Sequence, residues 1–506
     1  MVSTRSSPAR AASTTWRLPG INRLDEPTRF NPSGDLGRGV LGSVNIDGIG
    51  RAGLELQYDS VLAGEPGELV VERGPDGRTI PQGGRQVHPS EAGEDLVLTI
   101  DRGMQHEAER ALGQRIDEMG ALGGQVIISN PRTGEIYAMA DMTVPPEGGP
   151  AVPSSENRSL TAVFEPGSVN KVITLAAALE EGVVTPTDHL EVPDHLQVSD
   201  HTFTDHDPHP TASWTPTDIL ATSSNIGTIQ LALGLGPERV DEYLRRFGFG
   251  SQTGLDFPNE SGGLLLEADD WSGTSIGSIP IGQGVAVTPM QMLSAFNVIA
   301  NEGAYVEPKL VLATVDAGGR RHDTARSAER TVVSETTARQ VRDMMVSVVA
   351  AGTGREAAIE GYTVAGKTGT ARKPQANGTY QDAAGNYHYV TTFAGFVPAE
   401  DPQLSIIVVI DEPSNAYYAS FVAAPVFAEL ARYALRQLRI PPPGGTYQST
   451  VPPPRAAEEP IIDQATVVAA EATPVRAEAA VPTTTTSTTV PTTDTTTPAP
   501  EPPDTG

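Results

Sequence analysis

Ser168 and Lys171 lie three residues apart in the segment FEPGSVNK, which an apolar run at residues 172–179 follows. The proline and glycine before the serine interrupt any preceding element, and the apolar run predicts a buried helix that Ser168 would cap. On one helix face the lysine amine can reach the serine hydroxyl. A serine becomes a nucleophile when a base removes its proton, and lysine serves as that base when burial or a cationic neighbour keeps it neutral. Alone, the S-x-x-K pattern is more often a cap and a surface lysine.

Two later motifs favour the chemical interpretation. Ser223-Ser224-Asn225 begins 55 residues after Ser168, and Lys367-Thr368-Gly369-Thr370 begins 144 residues after Ser223. Each motif alone could be a helix cap or an ordinary strand end. Together, S-x-x-K, S-x-N and K-T-G in this order are the signature of penicillin-recognising serine enzymes.

Composition limits the classes of function. The chain has 506 residues, of which 38% are hydrophobic and 19% charged, enough for more than one folded unit. Its formal net charge of −28 argues against a nucleic-acid partner, because a phosphate backbone needs a basic surface. The absence of cysteine excludes disulfides and thiolate chemistry and is compatible with life outside the cytoplasm. The sequence has no run of 18 apolar residues, and residues 1–29 lack the apolar core of a signal peptide.

Changes in residue pattern divide the chain into four parts. Residues 1–35 lack periodicity and predict a disordered N-terminus, and residues 36–94 predict a small Gly-rich unit with a helix after Ala52 and a strand near 69–73. Residues 95–440 predict the catalytic body. Residues 441–506 are rich in Pro and Thr, and we expect a disordered tail that adds no apolar surface to the core.

Within residues 95–440 the pattern runs from strands to helices and back to strands. A strand at 95–100 precedes a helix that Asp101 caps, and a Pro/Gly turn joins two strands at 125–129 and 135–140. Helices dominate up to residue 355. The remaining predicted elements are strands at 362–366, 391–397 and 404–410 and a helix at 422–438. This order predicts the α+β class with a central antiparallel sheet.

The stretch from about residue 95 to 438 resembles the transpeptidase domain of class B penicillin-binding proteins. The resemblance implies a penicillin-binding/serine β-lactamase-like fold, in which helices flank the sheet and an all-helical subdomain is inserted, and a partial dimerisation-type pedestal at 36–94. Besides the three motifs, it depends on residues 281–289 (IGQGVAVTP), 352–354 (GTG), 362–371 (YTVAGKTGTA) and 393–398 (FAGFVP).

The resemblance also implies the reaction. Ser168 would attack the penultimate D-Ala carbonyl of a peptidoglycan stem peptide, with Lys171 as the base, and the amine of a neighbouring strand would resolve the acyl-enzyme. Ser223 could relay a proton to the leaving amine, and Asn225 could bond the substrate amide. In similar enzymes the main-chain N–H groups of Ser168 and Thr370 form the oxyanion hole.

The K-T-G motif would bind the substrate. Lys367 supplies a cation for the terminal carboxylate and lowers the pKa of Lys171 by like-charge repulsion. Thr368 and Thr370 can add hydroxyl contacts, and Gly369 lets the substrate backbone lie against the strand as an added edge strand.

No cofactor or metal is expected. Five of the nine histidines lie between His189 and His209, but their spacing follows no helical or finger pattern of ligands.

The expected partners are stem peptides on lipid-linked or nascent glycan strands, β-lactams as inhibitors, a membrane glycan polymerase and other division proteins. The motif blocks look more like septal members, at the extracytoplasmic face of the cell membrane. Class B members start with a membrane helix and a pedestal motif R-G-x-I-x-D-R, neither of which occurs here. We therefore expect the true start to lie upstream of Met1, with a soluble variant as the alternative.

Two other functions fit the same three motifs. One is a serine β-lactamase or D,D-carboxypeptidase, although the E-x-x-L-N element of a class A β-lactamase is missing. The other is a non-enzymatic β-lactam sensor. The stability of a penicillin adduct and the exchange of peptides separate all three.

Overall fold

The structure, a computed structural model, describes residues 31–455 except residue 73, residues 76–79 and residues 81–84. Most of the predicted N-terminal segment 1–35 and the last part of the predicted tail, residues 456–506, lie outside the described residues. Across the described part of the chain, no helix combines the length and apolarity that a bilayer span requires.

The elements of residues 36–94 are short and lie against the larger body. The predicted helix after Ala52 and the predicted strand near residue 69 are both confirmed. The Gly37 N–H donates to the Glu109 carboxylate at 2.8 Å, and the Gln57 amide donates to the Leu255 carbonyl at 2.8 Å. The elements are α1 (Arg38–Leu41), β1 (Ser43–Val44), β2 (Gly50–Ala52), α2 (Gly53–Gln57), α3 (Asp59–Leu62), β3 (Glu68–Val71) and β4 (Arg85–His88).

The next part of the chain begins the body that carries the motifs. As predicted, the Asp101 side chain caps a long helix by accepting from the Met104 N–H at 2.8 Å, and the two strands after that helix form an antiparallel hairpin. The elements are β5 (Asp95–Leu98), α4 (Arg102–Met119), β6 (Gly123–Ser129), β7 (Ile136–Thr143), β8 (Val152–Pro153) and α5 (Arg158–Thr161).

Helices dominate the central part, as expected. The most buried of them follows a capping box in which the Thr288 hydroxyl and the Gln291 side chain each bond the other residue's backbone N–H. The elements are α6 (Lys171–Glu180), β9 (Leu190–Val192), β10 (His195–Val198), β11 (His201–Thr204), β12 (Ala212–Trp214), α7 (Pro216–Thr222), α8 (Asn225–Leu235), α9 (Pro237–Arg246), α10 (Ser275–Ser278), α11 (Pro289–Ala300), β13 (Ala304–Val306), β14 (Val311–Val315), β15 (Arg321–Asp323), β16 (Glu329–Thr331) and α12 (Glu335–Ala350).

The sheet is completed by the C-terminal strands. They are followed by two helices, so the elements are β17 (Ala365–Arg372), β18 (Tyr389–Val397), β19 (Leu404–Asp411), α13 (Ala419–Val422) and α14 (Ala424–Gln437). The six strands lie in the order β17–β18–β19–β6–β7–β8, and every adjacent pair is antiparallel. This confirms the α+β class. It also places the K-T-G motif on an edge strand.

Two hydrophobic cores cover the two faces of the sheet. In β19, Ile407 and Val409 enter the core that contains α6 and α11, whereas Ile406 and Val408 enter the core that contains α4 and α14. A strand buried on both faces is apolar at nearly every position rather than at alternate ones. This explains the run of branched apolar residues at 404–410, which only Ser405 interrupts.

The tail prediction is wrong for residues 441–455, which pack on α7 and α12. Val451 is 5% exposed within the main core. The fully buried Asp343 carboxylate accepts from the Tyr447 hydroxyl and from the Thr450 N–H and hydroxyl at 2.6 and 2.5 Å. The Arg455 N–H donates to Asp218 in α7 at 2.6 Å. The composition of this segment did not indicate that it is ordered, because a few anchoring side chains among prolines suffice to dock it.

Removing residues 444–506 should therefore lower the melting temperature by more than about 5 °C. The truncation exposes core surface and removes the Tyr447 and Thr450 donors of the Asp343 carboxylate, which then keeps, among the described residues, only the Arg342 guanidinium at 3.3 Å. Each of these two losses is worth about 1–3 kcal/mol. Removing only residues 456–506 is the matched control and should change the melting temperature little, because that segment is poor in large apolar residues. Differential scanning calorimetry of both truncations and the full chain measures this. Equal melting temperatures for all three would show that the docked segment adds no stability.

Candidate active site

Ser168 lies in a tight 3-10 turn, Gly167–Asn170, that runs directly into α6. The prediction that Ser168 caps this helix is wrong, because α6 begins three residues later and Ser168 makes no capping hydrogen bond. The left-handed φ of 58° at Gly167 produces the turn. The serine hydroxyl is therefore not used to cap the helix.

A second glycine-rich segment packs against the turn that contains Ser168. The Gly167 N–H donates to the Gly282 carbonyl at 3.0 Å, and a Cβ on Gly282 would lie 2.1 Å from the Gly167 oxygen. The Asn170 amide donates to the Ile279 carbonyl at 2.8 Å, and the Thr174 hydroxyl donates to the Pro280 carbonyl at 3.0 Å. Gly282 lies in the IGQGVAVTP block and Ile279 and Pro280 come directly before it, so the start of this block packs against the serine motif.

Lys171 is fully buried and points at the S-x-N motif. Its Nζ donates to the Ser223 carbonyl, to Asn225 Oδ1 at 2.7 Å and to Ser223 Oγ at 3.3 Å. Within the described chain, no hydrogen bond joins this amine to the Ser168 hydroxyl, although the spacing predicted that reach. Burial lowers the pKa of Lys171 to about 7, and the negative charge of Asp205 opposes that shift.

Ser223 and Asn225 occupy the sharp turn between α7 and α8. Ser223 has a left-handed φ of 61°, which ends α7 and turns the chain, and Asn225 is the first residue of α8. The Asn225 side chain is held at both ends, since Oδ1 accepts from Lys171 and Nδ2 donates to the Thr204 carbonyl at 2.9 Å. In this state its amide bonds the protein rather than being free for a substrate.

Lys367 approaches the same serine from the edge strand. It is fully buried, and its Nζ lies 2.9 Å from Ser223 Oγ and 3.1 Å from the Thr368 carbonyl. Burial, and secondarily the charge of Lys171, lowers the pKa of Lys367 well below its ordinary value. The Ser223 hydroxyl thus lies between two buried amines.

The other K-T-G residues hold the edge strand in place. The Thr368 hydroxyl lies 2.7 Å from that of Thr353 in the GTG block, and the Thr370 hydroxyl accepts from the Ala419 N–H at 3.2 Å. A Cβ on Gly369 would lie 2.8 Å from the Pro166 carbonyl oxygen. Sequence reasoning explained this glycine by substrate access, whereas the structure adds close contact with the serine turn.

Asp205 is a site residue that sequence reasoning missed. It follows β11 in the histidine-rich segment and accepts from the Ser224 hydroxyl at 2.7 Å, the Asn225 N–H at 2.5 Å and the Ile226 N–H at 3.1 Å. Only its position in that segment could have drawn attention to it. Among the residues that the structure describes, no cluster of His, Cys, Asp or Glu side chains is arranged to hold a metal ion.

Comparison with known proteins identifies the family. Residues 124–432 match the penicillin binding protein transpeptidase domain, and residues 4–98 match the penicillin-binding protein dimerisation domain. The chain belongs to the penicillin-binding protein transpeptidase family. The dimerisation match begins upstream of residue 36, where the sequence pattern had suggested that the pedestal starts.

Named relatives of this penicillin-binding protein cover most of the chain. This chain is 38% identical over 448 residues to penicillin-binding protein PbpB of Mycolicibacterium smegmatis, and the match covers 86% of this chain and 68% of the relative. It is 32% identical over 434 residues to peptidoglycan D,D-transpeptidase FtsI of Escherichia coli, covering 84% and 70%. A solved structure of penicillin binding protein 3 from Mycobacterium tuberculosis, complexed with ampicillin, matches with a TM-score of 0.73 at 33% identity, covering 84% of this chain and 92% of that chain.

Gly369→Ala should lower the rate of penicillin acylation about tenfold or more while the fold survives. The added methyl group would press on the Pro166 carbonyl and displace the turn that carries Ser168, and small displacements of a nucleophile are costly. Gly444→Ala is the control, because a Cβ there meets nothing within 4 Å. Acylation by a fluorescent penicillin measures both variants, with circular dichroism to check folding. A wild-type rate in Gly369→Ala would show that the turn tolerates displacement.

Proposed function

We propose that this penicillin-binding protein cross-links peptidoglycan stem peptides as a serine D,D-transpeptidase, with Ser168 as the nucleophile. The observation that carries the proposal is the pair of buried amines, Lys171 and Lys367, on either side of the Ser223 hydroxyl and next to the serine turn. Curated relatives are named peptidoglycan D,D-transpeptidases.

In the first half-reaction, a neutral Lys171 accepts the Ser168 proton as the serine oxygen attacks the penultimate D-Ala carbonyl. The C–N bond to the terminal D-Ala then breaks, and the proton passes from Lys171 through the Ser223 hydroxyl to the leaving amine. In the second half-reaction the amine of a neighbouring stem peptide attacks the ester. Its proton returns to Ser168 by the reverse route, which restores the enzyme.

The substrate carboxylate would decide which of the two lysines carries the positive charge. In the empty site burial and mutual repulsion oppose two protonated amines, so the pair favours a single positive charge. A carboxylate beside Lys367 would hold that charge on Lys367 and leave Lys171 neutral. Binding of the correct substrate would therefore produce the base that the reaction needs.

The edge strand supplies the remaining groups. Because β17 ends the sheet order within the described chain, a stem peptide could pair with its outer side as an added strand. The main-chain N–H groups of Ser168 and Thr370 would form the oxyanion hole, with a contribution of about 3 kcal/mol per donor. Thr368 and Thr370 lie on this strand, and their hydroxyls could donate hydrogen bonds to the substrate carboxylate.

We infer the wider role from the names of the relatives. We assign the protein to septal wall synthesis at the extracytoplasmic face of the membrane, because FtsI-type and PbpB-type proteins are among its relatives. Its partners would be a membrane glycan polymerase and other division proteins. We retain the division into a pedestal before residue 95 and a transpeptidase body after it, and we extend that body from residue 440 to residue 455, because residues 441–455 pack on it.

Benzylpenicillin should add one intact drug mass to the peptide that contains Ser168, and the adduct should persist for many minutes. The sequence lacks the E-x-x-L-N element, whose glutamate would activate a water molecule to hydrolyse the ester in a class A β-lactamase. Intact mass spectrometry and peptide mapping measure this, with Ser168→Ala as the control. A pentapeptide with a D-amino acid acceptor should also show release of D-Ala and peptide exchange.

The other outcomes separate the rival functions. Rapid penicillin hydrolysis would assign the protein as a β-lactamase, and release of D-Ala to water alone would assign it as a carboxypeptidase. A stable adduct without any peptide turnover would assign it as a sensor.

Lys171→Arg should nearly abolish acylation, whereas Lys367→Arg should have a milder effect. Arginine keeps the positive charge but does not deprotonate, so it cannot accept the Ser168 proton. At Lys367 a guanidinium can still bind a carboxylate with altered geometry. The second-order acylation rate with a fluorescent penicillin compares the variants, with circular dichroism for folding. Equal losses, or a larger loss at Lys367, would reverse the roles of the two lysines.

A further inference from the structure

Asp205 connects the histidine-rich segment to the S-x-N turn through a nearly buried carboxylate. Its side chain is 6% exposed. One oxygen, Oδ1, accepts from the backbone N–H groups of Asn225 and Ile226, and the other, Oδ2, accepts from the Ser224 hydroxyl and from His209 Nε2 at 3.0 Å. All four donors therefore converge on one carboxylate.

This carboxylate fixes the start of α8. The first N–H groups of a helix have no partner within the helix and carry partial positive charge, so a carboxylate is favourable there. Ser224, which Asp205 also holds, caps the same helix by accepting from the Gly227 N–H at 2.9 Å. Asn225 is thereby held in the position from which its Oδ1 accepts from Lys171.

The same carboxylate acts on Lys171 by its charge. Lys171 is fully buried, its direct hydrogen-bond acceptors are neutral oxygens of Ser223 and Asn225, and Asp205 is the anion whose field reaches it. From the other side, Lys367 on β17 would repel it whenever Lys367 is itself protonated. The proton on Lys171 thus depends on the Asp205 carboxylate and on the charge state of Lys367, which come from different parts of the fold.

We propose that Asp205 is a positioning residue that fixes Asn225 against Lys171 and keeps positive charge on Lys171 while the site is empty. The proposal rests on the function proposed above. Within the described chain, Asp205 makes no hydrogen bond to Ser168, and it acts through Asn225 and Lys171. Arrival of the substrate carboxylate at Lys367 would then oppose Asp205 and release the Lys171 proton.

Other charged groups surround Asp205 and must be considered. His209 also bonds the Pro210 carbonyl through Nδ1 at 2.8 Å, and the Asp205 bond raises its pKa although burial opposes this. Each ring nitrogen of His209 lies within hydrogen-bond distance of an oxygen atom, and the raised pKa favours the imidazolium form. On the adjoining turn Asp194 pairs with His195, and Asp207 on the same loop is exposed.

Asp205→Asn removes the charge and preserves the shape. The amide oxygen can keep both backbone N–H groups, and the amide nitrogen can donate to Ser224 and to a neutral His209 that still donates through Nδ1. Without the anion, Lys171 loses its proton at lower pH. At the acid end of the pH profile, the acylation rate rises as Lys171 loses its proton. This acid limb should therefore shift to lower pH by about 1 unit. Asp205→Ala also removes the cap and should lower the rate about tenfold at every pH.

The experiment measures the second-order rate of acylation by a fluorescent penicillin from pH 5 to pH 9, on the full chain. The variants are Asp205→Asn, Asp205→Ala, the exposed-loop control Asp207→Asn and His209→Gln, with thermal melting to check each fold. Asp207→Asn should match the wild type. His209→Gln removes the cation beside the carboxylate and should leave the acid limb in place or move it to higher pH.

The outcomes separate this proposal from the proposed function. If the wild type is not acylated, the proposed function fails before Asp205 is tested. If the wild type is acylated and Asp205→Asn keeps the same acid limb, or loses rate equally at every pH, the Asp205 proposal is overturned. A downward shift in His209→Gln as large as that in Asp205→Asn would assign the titration to His209 and overturn it as well.

Discussion

Two lysine amines lie fully buried on either side of one serine hydroxyl, and much of the catalytic body serves to bring them there. Removing an ammonium ion from water costs several kcal/mol, about the free energy of several ordinary hydrogen bonds. The fold offsets this cost with carbonyl and hydroxyl acceptors, and by lowering the pKa of both amines. The chemical result is a lysine that can gain or lose its proton near pH 7. The helical region must therefore pack tightly on the edge of the sheet, because an open cleft would let water restore the charges.

The serine is held by backbone contact rather than by side-chain bonds. Its turn is wedged between Gly282 on one side and Gly369 on the other, and at both positions a Cβ would collide with the backbone of the turn. Glycines at these two points allow the serine turn to touch both residues 279–282 and the edge strand directly. The hydroxyl therefore has a fixed position although it is not used in a cap. Rigid placement of a nucleophile removes part of the entropic cost of the reaction.

Regions far from the serine contribute to the same arrangement. Residues 441–455 bind Asp343 in α12 and Asp218 in α7, and α7 leads directly to Ser223. The GTG block after α12 contacts Thr368 through Thr353. The histidine-rich segment, which resembles a metal-binding sequence only in composition, supplies Asp205 to α8. Apart from the GTG block, the site thus depends on elements whose sequences contain no recognised motif.

The sequence by itself determined the elements and the main chemistry. The spacing of apolar residues, capping residues such as Asp101 and turn residues each influence the backbone within a few positions of the chain. They therefore predicted the hairpin, the strands at 391–397 and 404–410 and the long helices. Three motifs predicted a serine and two lysines in one site. Only the tertiary structure decided which atoms meet. It directed Lys171 to Ser223, 52 residues away, and Lys367 to the same hydroxyl across 144 residues. It also placed Ser168 in a 3-10 turn, docked residues 441–455 and brought in Asp205, because burial and close packing between distant segments leave no trace in local pattern.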